Sequence, residues 1–286
     1  MPNADGSPAG ATSPHHTDVV VPSAPQERKP PPFIIGGLCF PEPSELGDWR
    51  TQVPRRHTFH RPFHIYSLSS WFFITLMIVL YGVCVVRPLS IYAPNSWIWN
   101  TSVVMAYTIM AVACLSSLFA VGLVDPGDHG SGDARPTHGY FRCSYCDRHV
   151  KGSSRHCKAC NKCIEGFDHH CKYLNTCVGK HNYFFFIAYV TLCAMVSVLQ
   201  LSCALYLIIN YSSVMLPVEI AFIAVFFAVA VPMGGLVGHL ATFHLFLHCR
   251  GTSTYDYLME KRARQEMEMD EQRRRTAAAA APRTQT

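Results

Sequence analysis

The stretch CSYCDRHVKGSSRHCKACNKCIEGFDHHCKYLNTC, Cys143 to Cys177, holds seven cysteines, and beside them His156, His169 and His170. Cys143-x2-Cys146, Cys157-x2-Cys160 and Cys160-x2-Cys163 are zinc-knuckle spacings, because two intervening residues let both thiolates reach one tetrahedral ion at about 2.3 Å. The stretch is rich in Gly, Ser and Lys and nearly empty of core-forming residues, so metal must supply the folding energy that apolar burial does not. Two tetrahedral sites take eight ligands, and the seven cysteines plus the three histidines of the His156-Cys157 and His169-His170-Cys171 runs offer ten. If the two left over are one Cys and one His side by side, they form a candidate nucleophile with its base. Asp168, His169 and Cys171 are the neighbouring set that also carries a carboxylate to orient such a histidine. Spacing alone leaves two other readings of Cys171, a ninth ligand or an idle thiol.

Outward from this stretch the chain turns apolar. Charged residues are 15 % of the 286, against roughly 25 % in an average soluble domain. Four runs contain no Asp, Glu, Lys or Arg: Ile65–Val86, Trp97–Val124, Tyr183–Ile209 and Ile220–Leu247. Each exceeds the roughly 20 residues a helix needs to cross a bilayer core. The pattern predicts an all-α polytopic membrane protein, four transmembrane helices with a small two-zinc cysteine-rich domain between helices 2 and 3. Of the 24 Lys and Arg, 23 fall on one side of these spans and only Arg87 on the other. The positive-inside rule makes that side cytosolic, with both termini and the cysteine-rich loop. Thiols stay reduced there, which favours metal or catalysis over a disulfide framework. The net charge of +5 then reads as a basic belt against anionic lipid, with no nucleic-acid partner.

The expected organisation follows these runs. Residues 1–60, proline-rich and polar, are expected to be a disordered cytosolic region, with room for a short helical or interfacial stretch near Trp49 to His64, where Arg55, Arg56 and Arg61 could anchor at the membrane surface. Helices 1 and 2 occupy 65–124 as a tight hairpin, closed at Arg87-Pro88 and turned by "APNS". The cysteine-rich domain fills 125–182, entered through "DPGDHGSGD", a helix stop with a flexible lead-in. Helices 3 and 4 fill 183–248, and 249–286 is a cytosolic tail, a surface helix fraying into disorder. Asn100 and Asn210 match the glycosylation sequon but lie too near the bilayer for modification. Pro232, Gly234, Gly235 and Gly238 in the fourth span read as a kink with close helix packing, or as one wall of a cavity for an apolar chain.

The segment "FDHHCKYLNTCVG" with its upstream cysteines resembles the DHHC-type protein S-acyltransferases (palmitoyltransferases). The likeness is close over Cys143 to Asn182 and extends to the four-span layout, to "DPG" at Asp125–Gly127 and to "STYD" at Ser253–Asp256, which is similar to the family's Thr-Thr-x-Glu element. The resemblance implies two interleaved structural zinc sites, Cys143, Cys146, His156 and Cys163 in one and Cys157, Cys160, His170 and Cys177 in the other. It implies Cys171 as nucleophile, His169 as its base and Asp168 as the carboxylate that orients the base. Palmitoyl-CoA or another long-chain acyl-CoA would be the co-substrate, and cysteines of membrane-associated proteins would be the acceptors, in a two-step ping-pong transfer. The setting would be an endomembrane (ER or Golgi) or the plasma membrane. Arg155, Lys172, Lys180 and Arg250 are candidates to meet the CoA phosphates.

The sequence also departs from the family's usual pattern. Lys172-Tyr173 replaces Pro-Trp after the motif cysteine, Asn175-Thr176 stands for Asn-Asn, and "VKGSSR" replaces Arg-Pro-x-Arg. "STYD" has Ser for Thr and Asp for Glu, and the tail lacks a clear aromatic, Asn-containing element. These changes leave a second reading open, a zinc-folded membrane adaptor with little transfer activity. An ion transporter is poorly supported, since the spans lack the intramembrane charges that mark an ion path.

Overall fold

The structure, a computed structural model, describes residues 53–130 and 139–280. Residues 1–52 of the expected N-terminal region and the end of the tail lie outside the described residues. Among the described residues four apolar helical segments, Ile65–Tyr92, Pro94–Leu123, Tyr183–Tyr211 and Pro217–Cys249, are long enough to cross a bilayer. The first is composite: α1 (Ile65–Tyr81) passes through a π-helical turn, Gly82–Val86, into α2 (Arg87–Tyr92). The second is mainly α3 (Trp97–Leu123); the third and fourth are α4 (Tyr183–Tyr211) and α5 (Pro217–Cys249). Phe72, Trp97, Ile98, Phe184, Val198 and Ile209 stand exposed along them. Helices this apolar on their outer faces belong in lipid, and the chain is an integral membrane protein.

The first span runs past its expected end at Val86. Glu219 of α5 pairs with Arg87 at 2.8 Å and accepts from the Tyr92 hydroxyl, so the charge is neutralised by a neighbour and the helix continues. Asn100 donates to the carbonyls of Leu89 and Ala93, which ties its side chain into the hairpin turn. Inside the bundle α4 packs against both α3 and α5. Tyr81 stacks on Tyr107 at 3.9 Å, and Gln200 donates to the Tyr107 hydroxyl, so a buried amide and a buried hydroxyl pair where water is scarce. A Cβ at Gly234 would stand 3.3 Å from Ser197 Cβ, so α5 approaches α4 closely there. Pro232 lies within α5, which runs unbroken to Cys249.

Between α3 and α4 the cysteine-rich segment folds as three successive antiparallel hairpins. They are β1–β2 (Tyr140–Cys143, Arg148–Lys151), β3–β4 (Arg155–Cys157, Lys162–Ile164) and β5–β6 (His169–Cys171, Thr176–Val178). Each turns through one residue of positive φ, Asp147, Asn161 and Asn175 in order, and Asp and Asn are the non-glycine types that tolerate that conformation best.

Two expectations about the flanks are corrected. The chain from Val53 is not without fixed structure, and Arg55 is not a membrane anchor. Arg55 is buried, its N–H donates to the Cys160 carbonyl, and its guanidinium donates to Asn175 Oδ1 at 2.9 Å and to the Pro62 carbonyl. Thr58 donates from its N–H to Gly122 O and from its hydroxyl to Leu174 O. The segment binds through polar side chains and main chain, so it carries none of the apolar periodicity that would have announced it. The "DPG" segment is likewise a strut. Asp125 pairs with Lys162, while the buried Asp128 accepts from the Lys151 N–H and from the Ser154 hydroxyl. Gly127 bridges Ile164, which ties the end of α3 to the second hairpin. After α5, the helix α6 (Thr254–Ala280) is highly charged and runs exposed over residues 258–277.

Candidate active site and metal centres

The hairpins repeat one local plan. Cys143-x2-Cys146-Asp147, Cys157-x2-Cys160-Asn161 and Cys171-x2-Leu174-Asn175 occupy equivalent turns. In the second and third hairpins a His and a Cys face each other across the strands, His156 with Cys163 and His170 with Cys177. The turn pair of the first hairpin meets the strand pair of the second: one donor atom each from Cys143, Cys146, His156 and Cys163 lie within 4.8 Å of one another. The turn pair of the second meets the strand pair of the third in the same way, grouping Cys157, Cys160, His170 and Cys177.

Both groups fit zinc. Cys146 Sγ is 3.6 Å from Cys163 Sγ and 3.1 Å from His156 Nδ1. Cys177 Sγ is 3.5 Å from Cys160 Sγ, and His170 Nδ1 is 3.4 to 3.7 Å from the three thiols of its group. A tetrahedron with bonds of about 2.3 Å has edges of about 3.8 Å, so the donors already stand close to the spacing an ion would impose. Three thiols and an imidazole close four positions and leave none open.

Cys171 belongs to neither group among the described residues. Its turn partner is Leu174, which is buried with Leu118, Val121, Phe186, Val190 and Ala241 from α3, α4 and α5, and Cys171 packs against that apolar cluster. Before it, Asp168 Oδ2 accepts from His169 Nδ1 at 2.6 Å, and Asp168 Oδ1 accepts from the Thr254 N–H at 2.7 Å. Thr254 is the first residue of α6, capped by Ser253, whose hydroxyl accepts from the Asp256 N–H and donates to the Asp256 carboxylate. The positive end of a helix thus points at a buried carboxylate. Burial works against the Asp168 charge, but His169 and the Thr254 N–H outweigh it and hold the carboxyl below its usual range. Burial also works against a charged His169, yet hydrogen bonds to Asp168 and to Cys171 raise that imidazole to about 9. At neutral pH the ring therefore carries its proton between a carboxylate and the Cys171 sulfur.

Several contributors have no spacing signal. Glu165, buried, accepts from Lys151 and Lys180 and lies 3.1 Å from His181; the two lysines outweigh burial and lower its carboxyl to about 2. His244 of α5 brings its ring centroid to 5.6 Å from that of His169. Thr254 acts through its main chain, which no side-chain pattern reveals. The cation candidates are dispersed. Lys180 is engaged by Glu165, Arg155 lies over the Tyr255 ring at 5.7 Å, and Arg250 lies over Phe246 at 5.4 Å. Tyr173, in the usual place of Trp, stacks on Tyr66 of α1 at 5.3 Å. Comparison with curated proteins finds no match. Residues 138–261 match the family model of the DHHC palmitoyltransferases, a segment that holds the hairpins, α4, α5 and the start of α6. By that match residues 138–261 carry a DHHC palmitoyltransferase domain, the domain of a family of zinc-binding protein S-acyltransferases.

Proposed function

We propose that the protein moves a long-chain acyl group from coenzyme A to cysteines of membrane-associated proteins through an acyl-enzyme on Cys171. The hydrogen-bonded series Asp168–His169–Cys171 beside an apolar cluster of three spans carries this reading. In the first step the Cys171 sulfur attacks the thioester carbonyl carbon. A new carbon–sulfur bond forms, the bond to the CoA sulfur breaks, and His169 gives its proton to the departing thiolate. In the second step neutral His169 takes the proton of an incoming cysteine, whose sulfur attacks the acyl-Cys171 carbonyl and expels Cys171 as thiolate. Asp168 holds the ring in position through Nδ1 and stabilises its charged form.

The two Cys3His groups hold structural zinc in this reading, Cys143, Cys146, His156 and Cys163 around one ion and Cys157, Cys160, His170 and Cys177 around the other. Zinc supplies folding energy there and fixes the third hairpin against the second. The acyl chain runs from Cys171 between the spans, and the CoA head stays in water among the basic residues of the cytosolic side, as the Lys and Arg asymmetry supports. Each buried CH2 contributes about 0.8 kcal/mol, so the bundle can select for chain length. The test is labelling of the purified protein with alkyne palmitoyl-CoA. The wild type acquires a hydroxylamine-labile label and passes it to an acceptor; Cys171→Ser acquires none. Full labile label on a Cys171→Ser, Cys249→Ser double variant rules the assignment out.

A further inference from the structure

A third set of ligating groups stands beside the two thiol-rich ones. One carboxylate oxygen of Asp168, one ring nitrogen of His169 and one ring nitrogen of His244 lie within 4.8 Å of one another. His244 comes from the last turns of α5, is 2 % exposed, and has a buried Nδ1 with no hydrogen-bond partner among the described residues. A buried ring nitrogen left unpaired is costly and calls for a reason. Packing does not give one. Phe186 and Phe243 meet the ring at steep angles, 4.7 and 5.5 Å between centroids, contacts that a phenylalanine at this position would make as well.

We propose that Asp168, His169 and His244 form a third, weaker zinc site whose occupation switches transfer off. Two imidazoles and a carboxylate are donors that zinc takes at about 2.0–2.2 Å, with a fourth position left for water. The group contains no thiolate, and Asp168 and His169 are already bonded to each other at 2.6 Å, so an ion must compete with that contact. The site therefore fills after the Cys3His groups. Binding exchanges the proton held between His169 and Asp168 for the metal, and that proton leaves to solvent. The imidazole that serves Cys171 is then occupied. The shut-off rests on the transfer mechanism above, whereas metal binding does not.

The experiment uses the full chain in lipid nanodiscs with its two tightly held zincs, dialysed against micromolar zinc. Wild type takes a third equivalent; His244→Gln and Asp168→Asn keep two and take none. The ratio of transfer with and without free zinc falls roughly tenfold or more in wild type, recovers with a weak chelator, and stays near one in His244→Gln. A wild type that stops at two equivalents at about 100 µM zinc overturns the site, as does a third equivalent retained by His244→Gln. A third equivalent with undiminished transfer overturns the switch. Should a substitution cost the protein its resident zincs, wild type decides alone: cobalt(II) added to the zinc-loaded chain must give visible ligand-field bands, and their absence overturns the site. If no preparation transfers acyl groups, the transfer reading fails while the metal count still decides this one.

Discussion

The second and third hairpins share a backbone plan and differ at one turn position. Cys157-x2-Cys160 presents two thiols forward, and the next hairpin answers with His170 and Cys177. Cys171-x2-Leu174 presents one thiol, and α4 follows in place of a fourth hairpin. With Leu174 turned into the apolar cluster, Cys171 has neither a second turn thiol nor a following His and Cys strand pair to complete a tetrahedron among the described residues. In the proposed reading the reactive thiol arises where a repeat of zinc-type donor pairs runs out. The zinc-type scaffold still holds it, because His170 and Cys177 of the same hairpin belong to the preceding group.

The largest effects separate these two equivalent cysteines. Cys157→Ser removes a thiolate from a closed shell in a segment with little core of its own. The expected outcome is loss of at least one of two zincs, with several kcal/mol of stability gone, read by metal analysis and thermal unfolding. Cys171→Ser keeps both zincs and its melting temperature but loses acyl transfer. If the two variants lose zinc alike, the distinction between the hairpins collapses.

Leu174→Cys sharpens the comparison by restoring the missing turn thiol. The substitution empties part of a buried apolar site, at about 2 kcal/mol. It sets a C-x2-C pair on Cys171, so transfer is expected to fall roughly tenfold or more in free zinc and to recover on chelation. Leu174→Ala, with a similar cavity and no thiol, should show no zinc-dependent fall. Equal behaviour of the two would mean that the turn pair alone does not decide what Cys171 does.

The sequence made the spans and the hairpins' donors legible for a physical reason. Charge-free runs and C-x2-C spacings are local signals, and lipid and metal each read them directly. The Asp-Asn turn positions were equally local, and aligning Cys143, Cys157 and Cys171 would have exposed the repeat and Leu174 within it. What stayed hidden acts over distance through polar contacts. Arg55 reaches Asn175 across 120 residues, and Thr254 reaches Asp168 across 86 with a main-chain N–H. Glu165 gathers Lys151, Lys180 and His181 without any pattern in their spacing. The extension of the first span beyond Arg87 has the same cause, because its neutralising partner, Glu219, lies on another helix.

The contact between α6 and Asp168 gives a moderate effect. Thr254 is the first residue of its helix, a position where proline is tolerated because the N–H has no helical partner to lose. Thr254→Pro removes the donor to Asp168 and leaves Ser253 and Asp256 to cap. A hydrogen bond to a charged group contributes about 1.5–3 kcal/mol, so transfer should drop by about tenfold or more with little change in melting temperature. Thr254→Ala, which retains the N–H, should transfer at nearly the wild-type rate. A Thr254→Pro protein as active as wild type would show that the helix end does not position the carboxylate.

The smallest effect lies at Glu165, which braces the second hairpin to the start of α4 without touching either donor group. Its carboxyl is lowered to about 2, first by Lys151 and then Lys180, with burial opposing them. A depressed carboxylate contributes stability that is present above its unfolded value, about 4.5, and is lost as pH falls through the folded value. Wild type should therefore melt above Glu165→Gln at pH 6, and the gap should narrow as pH falls from about 4.5 toward 2. Lys151 is 42 % and Lys180 67 % exposed, so salt should shrink the gap as well. A gap that stays constant across this acid range would mean that Glu165 acts by its shape, and that the brace is packing and not charge.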